Sequence, residues 1–242
     1  MKILVLQHER VEHPGSFRRF LAEDGHSWTP VHLNEGEPLP DTNALDTFDA
    51  LWVMGGPMDV WEEEAHPWLK AEKHFIRAAV EERGLPFLGL CLGHQLLAEA
   101  LGGACGPSET PEIGVMEVQM TEEGASGILL DGLPERFDCL QWHSAEVKRM
   151  PEGAKCLATS PDCAVQAMQW GPRAASAQFH LEVEPDTVSN WKAIPAYAQA
   201  LDRALGPTGA EILEADCARE MEGFEAAAER VYINWLQTSA KV

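Results

Sequence analysis

Apolar residues follow two different rhythms along this chain, and the change of rhythm divides it. In the first half, short uninterrupted apolar runs alternate with segments whose apolar positions recur every three or four residues. KILVLQ (2–7) has the length and continuous apolar character of a strand buried on both faces. SFRRFLAEDG (16–25) spaces its apolar residues along one helical face and stops at Gly25. SWTPVHL (27–33) and FDALWVM (48–54) predict two more strands, separated by the polar, Pro-containing NEGEPLPDTNALDT, which reads as a loop. In HPWLKAEKHFIRAAVEERG, Pro67 suits a first helical turn. Trp68, Phe75, Ile76, Ala79 and Val80 keep helical spacing there, and Gly84 ends the run. PFLGLCLGHQLLAEALGG (86–103) then supplies a fourth strand, a cysteine between two glycines, and a helix. Such alternation predicts an α/β sheet with helices on both faces.

After Gly103 the rhythm changes. PEIGVMEVQM, FDCLQWH, KCLATS, AVQAMQW and AASAQFH are short strand-like runs bounded by Gly, Pro, Asp or Ser, so additional strands, some antiparallel, are expected. From Pro185 the pattern is helical again, in DTVSNWKAIPAYAQALDRALG and EGFEAAAERVYINWLQ, with Pro195 expected to kink or break the first. No internal repeat or low-complexity linker is visible. The organisation expected is one α/β domain over 1–205 and a helical extension over 206–242 packed on the same domain.

Composition narrows the function classes. A chain of 242 residues can bury one sizeable core, and no apolar run approaches a membrane span. The N-terminus turns charged at once and lacks a small-residue cleavage site, so it reads as a core strand and a cytoplasmic location is expected. The formal net charge of -21 repels phosphate backbones, which argues against a nucleic-acid partner. Cys91, Cys105, Cys139, Cys156, Cys163 and Cys217 show no CxxC pair, and the histidines no zinc spacing, so no metal is expected. Most of these thiols read as reduced and buried.

In doubly wound sheets, ligands bind beyond the carboxyl ends of the strands. Three features fall at such predicted ends: Gly55-Gly56-Pro57, Cys91 and His180. Gly89-Leu90-Cys91-Leu92-Gly93 has the spacing of a nucleophile elbow with cysteine in place of serine. The positive end of the following helix favours a thiolate there. A thiol nucleophile needs a base, and the base an orienting group. His180 and Glu182 are two residues apart, so on an extended chain they point the same way and the carboxylate can hold the imidazole tautomer. Acyl transfer also needs donors for a developing oxyanion, which a Gly-Gly turn and the N–H of Leu92 can supply. An α/β-hydrolase would place its acid before the histidine, whereas here it follows.

GLCLGHQ, GGP and QFHLEV together resemble class I glutamine amidotransferase domains, over roughly the first 190 residues. The resemblance implies a flavodoxin-like three-layer α/β/α sandwich with a mixed, mostly parallel sheet and, here, extra C-terminal helices. It implies a catalytic Cys91–His180–Glu182 triad, oxyanion donors at Gly56 and Leu92, and glutamine contacts from Gly55 and Gln95. QWHSAEV adds His143 and Ser144 as candidates for holding the amino-acid head. The activity implied is cofactor-free hydrolysis of a γ-glutamyl amide, glutamine or a γ-glutamyl amine or peptide, through a γ-glutamyl thioester. The chain lacks a Walker loop and a synthetase domain, which fits stand-alone proteins similar to the amidotransferase part of GMP synthase. A glutaminase subunit that feeds ammonia to a separate synthetase is the alternative, and a homodimer stays open. The segment 58–68 is expected to overhang the site, with Trp61 and Trp142 as candidate walls of a leaving-group pocket. Glu62 to Glu64 read either as an attractor for a cationic amine or as a solvated face.

Overall fold

A computed structural model describes residues 1–239. The alternating half comprises β1 (Lys2–Gln7), α1 (Phe17–Glu23), β2 (Ser27–His32), β3 (Ala50–Val53), α2 (Trp68–Arg77), β4 (Phe87–Leu90) and α3 (Leu92–Ala100). Then come β5 (Ala104–Met120), the single-turn α4 (Glu122–Ala125), β6 (Arg136–Arg149), β7 (Ala154–Thr159), β8 (Ala167–Trp170) and β9 (Ala174–Ala177). Helices α5 (Thr187–Trp191), α6 (Pro195–Leu205) and α7 (Gly209–Ser239) follow.

The nine strands among the described residues join one sheet in the order β2-β1-β3-β4-β9-β8-β7-β5-β6. The first five in that order are mutually parallel and the rest antiparallel. The consequential step is β9, which returns across the sheet to lie parallel beside β4, with Leu90 opposite Ala177. The elbow after β4 and the segment after β9 therefore leave the sheet at the same edge as neighbours. Both β4 and β9 are buried along their whole length, as strands covered on two faces must be.

Two apolar layers flank the sheet. One holds Phe17, Trp52, Leu88, Phe224 and Trp235 under α1 and α7, and the other holds Leu4, Val53, Phe75, Phe87 and Leu96 under α2 and α3. Trp235 meets Trp52 edge-on at 5.0 Å and gives its indole N–H to the Phe87 carbonyl at 3.2 Å. The C-terminal helix is thereby anchored over the centre of the sheet.

Several local expectations change. The loop predicted after β2 contains two short 3-10 turns, Leu33–Glu35 and Thr42–Thr47, the second started by Asp41 accepting from the Asn43 N–H at 2.8 Å. Asp at that position serves as a cap, which loop-like composition conceals. Pro67 precedes α2, and a wider-turned stretch, Ala78–Glu82, continues it toward Gly84. Pro195 does break the first C-terminal run, as expected: α5 ends at Trp191 and Pro195 opens α6, where its missing N–H has no partner to lose. Among the described residues the tail forms one 31-residue helix, Gly209–Ser239, that starts well before the stripe seen in the sequence.

Candidate active site

The elbow is built by close packing. Cys91 adopts φ 52° and ψ -106° and is the only non-glycine residue with positive φ among the described residues. A side chain held there stores strain that neighbouring structure must enforce. The flanking glycines enforce it. A Cβ on Gly89 would lie 2.5 Å from the Gly93 carbonyl oxygen, and one on Gly93 would lie 2.0 Å from that of Val53. Strand β4, helix α3 and strand β3 thus touch backbone to backbone. The Cys91 N–H donates to the Ala177 carbonyl at 2.8 Å, which ties the elbow to β9. Leu92 is the first residue of α3, so its N–H has no acceptor within the helix.

Beyond β9 the chain stays extended. His180 forms a two-way backbone bridge with Leu140 of β6, at 2.9 and 3.1 Å. Its Nδ1 lies 2.6 Å from Glu182 Oε1, while Glu182 Oε2 accepts the Leu181 N–H at 3.0 Å. The Glu182 backbone carbonyl accepts the Ser16 N–H at 2.9 Å and lies so close to Gly15 that a Cβ there would sit 1.8 Å away. Trp191 of α5 meets the imidazole edge-on at 4.6 Å. Burial alone would disfavour the charged ring, but Glu182 and the neighbouring Cys91 side chain outweigh it and hold His180 well above the ordinary histidine range.

A cleft of about 90 Å³ opens over Cys91. Gly56, Leu92, Gln95, His143 and Ser144 all line it, so these sequence candidates converge there. Gly55 lies behind it: its carbonyl is 2.8 Å from His8 Nδ1, and Glu12 fills the space a side chain would need. Gln95 donates to Gln178 Oε1 at 3.1 Å, and Gln178 points its own amide at Cys91 Sγ, 3.6 Å away. Trp142 lines the cleft, whereas Trp61 is 39% exposed and does not. Of the segment 58–68, Met58 and Asp59 reach the cleft. The acidic run is turned largely to the protein's own needs: Glu62 accepts the Asp59 N–H, and Glu63 pairs with Lys73, which also holds Glu99.

Other groups were not singled out by sequence. His8 is buried, stacks on Trp68 and pairs with Glu72 at 3.0 Å. Burial opposes its charge, yet Glu72 prevails and raises its pKa. Glu12 is buried and hydrogen-bonded to the Tyr197 hydroxyl. Desolvation raises its pKa despite the nearby His180. Tyr197, with Ala196 and Ala200, makes α6 a wall of the cleft. His8 and Glu12 follow the carboxyl end of β1, the position that strand-end logic marks. Tyr197 has no local signal.

Glu112, His143 and Cys163 bring oxygen, nitrogen and sulfur donors within 4.8 Å of one another, a set that suits a zinc-like ion. The Glu112 carboxylate is already engaged by Ser160 and Gln166, each at 2.7 Å, and by His143 at 3.1 Å. Burial pushes the other five thiols up, Cys163 and Cys217 to about 12.

Comparisons with known proteins agree with this geometry. Residues 18–190 match the profile of the class-I glutamine amidotransferase family. GMP synthase (glutamine-hydrolyzing) of Aeropyrum pernix is 40% identical over 154 residues, which is 61% of this chain but 28% of that protein. The glutamine amidotransferase-like protein YfeJ of Salmonella typhimurium is 34% identical over 193 residues, 78% of each chain. A glutamine amidotransferase structure from Thermotoga maritima superposes with a TM-score of 0.85 at 26% identity, covering 100% of this chain and 99% of that one. No helix among the described residues is long and apolar enough to cross a membrane. With its flavodoxin-like α/β/α fold, a strained cysteine elbow and a His–Glu pair on the neighbouring strand, the chain belongs to the class-I glutamine amidotransferase family.

Proposed function

We propose that the protein hydrolyses γ-glutamyl amides by covalent catalysis at Cys91. The observation that carries this reading is the placement of Cys91, in its strained elbow, beside His180, whose Nδ1 lies 2.6 Å from Glu182 and whose pKa is raised by that carboxylate against the cost of burial. The Cys91 thiolate attacks the γ-carbonyl carbon, and the carbonyl oxygen becomes an oxyanion facing the N–H groups of Gly56 and Leu92. Collapse breaks the C–N bond as His180 gives its proton to the departing nitrogen, leaving a γ-glutamyl thioester and neutral His180. His180 then takes a proton from water, whose oxygen attacks the thioester. Glutamate leaves, and the thiolate and the imidazolium are restored. Gln95, His143 and Ser144 hold the glutamyl head along the cleft.

The test is glutamate release from glutamine and from a panel of γ-glutamyl amines and peptides. Turnover of a substituted amide above that of glutamine supports a stand-alone hydrolase. Absence of any release overturns the reading. A second reading is favoured by archaeal relatives, from Pyrococcus furiosus and Methanocaldococcus jannaschii, that are named as one subunit of a glutamine-hydrolyzing GMP synthase. In it the protein is a glutaminase that passes ammonia to a separate synthetase. Release seen only when such a synthetase is added selects it.

The state of His180 gives a pH prediction. Its folded pKa is raised above 6.5, so the stability contributed by its pairing is complete below that pH and is lost as pH rises through the folded value. Because the leaving nitrogen needs that proton, activity should fall on the alkaline side. Glu182→Gln removes a principal cause of the raised value. The alkaline limb of the kcat/KM profile should then move to lower pH, with a loss of about 10- to 100-fold at mildly alkaline pH. An unmoved limb would show that Glu182 does not hold the proton.

A further inference from the structure

A buried ion pair that the proposed steps do not use lies directly behind the cleft. His8 follows the carboxyl end of β1 and Gly55 follows that of β3. The two strands are parallel neighbours, so both residues leave the sheet side by side. His8 Nδ1 lies 2.8 Å from the Gly55 carbonyl oxygen, and Nε2 lies 3.0 and 3.2 Å from the two carboxylate oxygens of Glu72 on α2. A carbonyl and a carboxylate can only accept, so both ring nitrogens carry protons and the ring is an imidazolium. The direction of its pKa agrees: burial opposes the charge, but Glu72, the Gly55 carbonyl and Glu12 together raise the value. Both side chains of the pair are wholly excluded from solvent. Such a pair is a poor device for stability alone, because taking both charges out of water offsets much of their attraction. Trp68 stacks on the imidazolium at 5.4 Å and fixes the plane of its ring.

What the pair faces is a single peptide unit. The carbonyl of Gly55 and the N–H of Gly56 belong to one planar trans peptide, so they point in opposite directions. With the carbonyl drawn inward to His8, the N–H is turned outward, to the side where Gly56 lines the cleft with Cys91 and Leu92. That N–H donates to no protein group among the described residues. Turning the peptide over would leave a charged donor buried without an acceptor. The space is also closed: a Cβ on Gly56 would lie 2.6 Å from His8 Cβ and 2.9 Å from Leu92 Cδ2, and one on Gly55 would lie 2.5 Å from Glu12 Oε2.

We infer that His8 is a positioning residue of the reaction: paired with Glu72, it holds the Gly55–Gly56 peptide with its carbonyl inward and thereby aims and polarises the Gly56 N–H for the oxyanion of the tetrahedral intermediate. The inference rests on the γ-glutamyl hydrolase reading and gives the source of one donor's strength. A hydrogen bond from a cation to the carbonyl draws electron density from the peptide nitrogen, so the N–H on the opposite side becomes a stronger donor. The gain is realised where charge develops on oxygen and is small for the neutral amide carbonyl of the bound substrate. His8 does not line the cleft, so it acts only through the peptide.

The test compares variants of the full chain in glutamate release from the γ-glutamyl amide that the parent turns over fastest. Glu72→Gln keeps the size of the side chain and removes the charge that sustains the imidazolium. Its kcat should fall about 5- to 10-fold, with KM changed by less than about twofold. His8→Leu combined with Glu72→Met replaces the pair by apolar groups of similar volume, so no buried charge is stranded. Here kcat should fall by about 50-fold or more, approaching the effect of losing an oxyanion donor. His8→Asn combined with Glu72→Met restores a neutral donor near the Nδ1 position and should recover at least about fivefold of that loss. Alkylation of Cys91 by iodoacetamide, followed by mass spectrometry on the Cys91 peptide, separates positioning from a loosened site. It displaces iodide at a saturated carbon and forms no oxyanion, so its rate should stay within about twofold of the parent in every variant. Parallel falls in turnover and alkylation would assign the pair a merely structural role and overturn the inference. So would an unchanged kcat in Glu72→Gln, which decides the matter if the double replacements do not fold. A parent that releases no glutamate from any γ-glutamyl amide removes the hydrolase reading and this inference with it, whereas an active parent with equally active variants removes the inference alone.

Discussion

Cys91→Ala protein is expected to fold like its parent and to lose glutamate release from every γ-glutamyl amide by about 10⁴-fold or more. No other thiol can substitute, because the remaining five are held protonated by burial and lie outside the cleft. Stability separates the chemical loss from a structural one. Alanine keeps a Cβ at φ 52°, so the strain of the elbow persists and the melting temperature should barely move. Cys91→Gly removes that strain at some cost in unfolded-chain entropy, and a net gain of about 1 kcal/mol is expected. Glutamate release and thermal melting on the three proteins check both parts. Undiminished release from Cys91→Ala would remove the thiol from the mechanism, and a Cys91→Gly protein less stable than Cys91→Ala would refute the strain.

Gly93→Ala should be among the most damaging single-methyl changes in the molecule. Its Cβ would stand 2.0 Å from the Val53 carbonyl oxygen and 2.7 Å from its carbon, both backbone atoms that no rotamer change can move. Relief requires α3 to lift from β3, which displaces Leu92 and Cys91 together. A loss of about 3 kcal/mol or more in denaturant unfolding is expected, with glutamate release falling by more than about 100-fold in the fraction that folds. Gly102→Ala is the control. It sits at positive φ, but nothing lies within 4 Å of its added Cβ, so only the conformational cost, about 1 kcal/mol, should appear. Equal effects at the two positions would show that close packing does not build the elbow.

Much of the site is legible in the chain because its parts are local. Gly89-Leu90-Cys91-Leu92-Gly93 specifies a tight strand-to-helix turn over five consecutive residues. The His180–Glu182 contact needs only an extended backbone, and the structure keeps one there even though β9 itself ends at Ala177. Gly55 shows the limit of motif reading. It stands in the Gly-Gly turn, yet its carbonyl faces His8 and its missing side chain makes room for Glu12. Trp61 and Trp142 were equivalent as sequence candidates. Burial separated them, because Trp142 lies on a sheet strand and Trp61 on an outer turn.

The sequence by itself determined the rhythm of strands and helices, the thiol elbow, the His180–Glu182 pair, and the glycine turn. Each is set by interactions among residues a few positions apart. Only the tertiary structure decided that β9 pairs with β4, which joins the cysteine to its histidine. It alone placed His8 and Glu12 behind the Gly-Gly turn and brought Tyr197 of α6 over the cleft. Those outcomes depend on which distant surfaces pack together and exclude water, and no local periodicity carries that information.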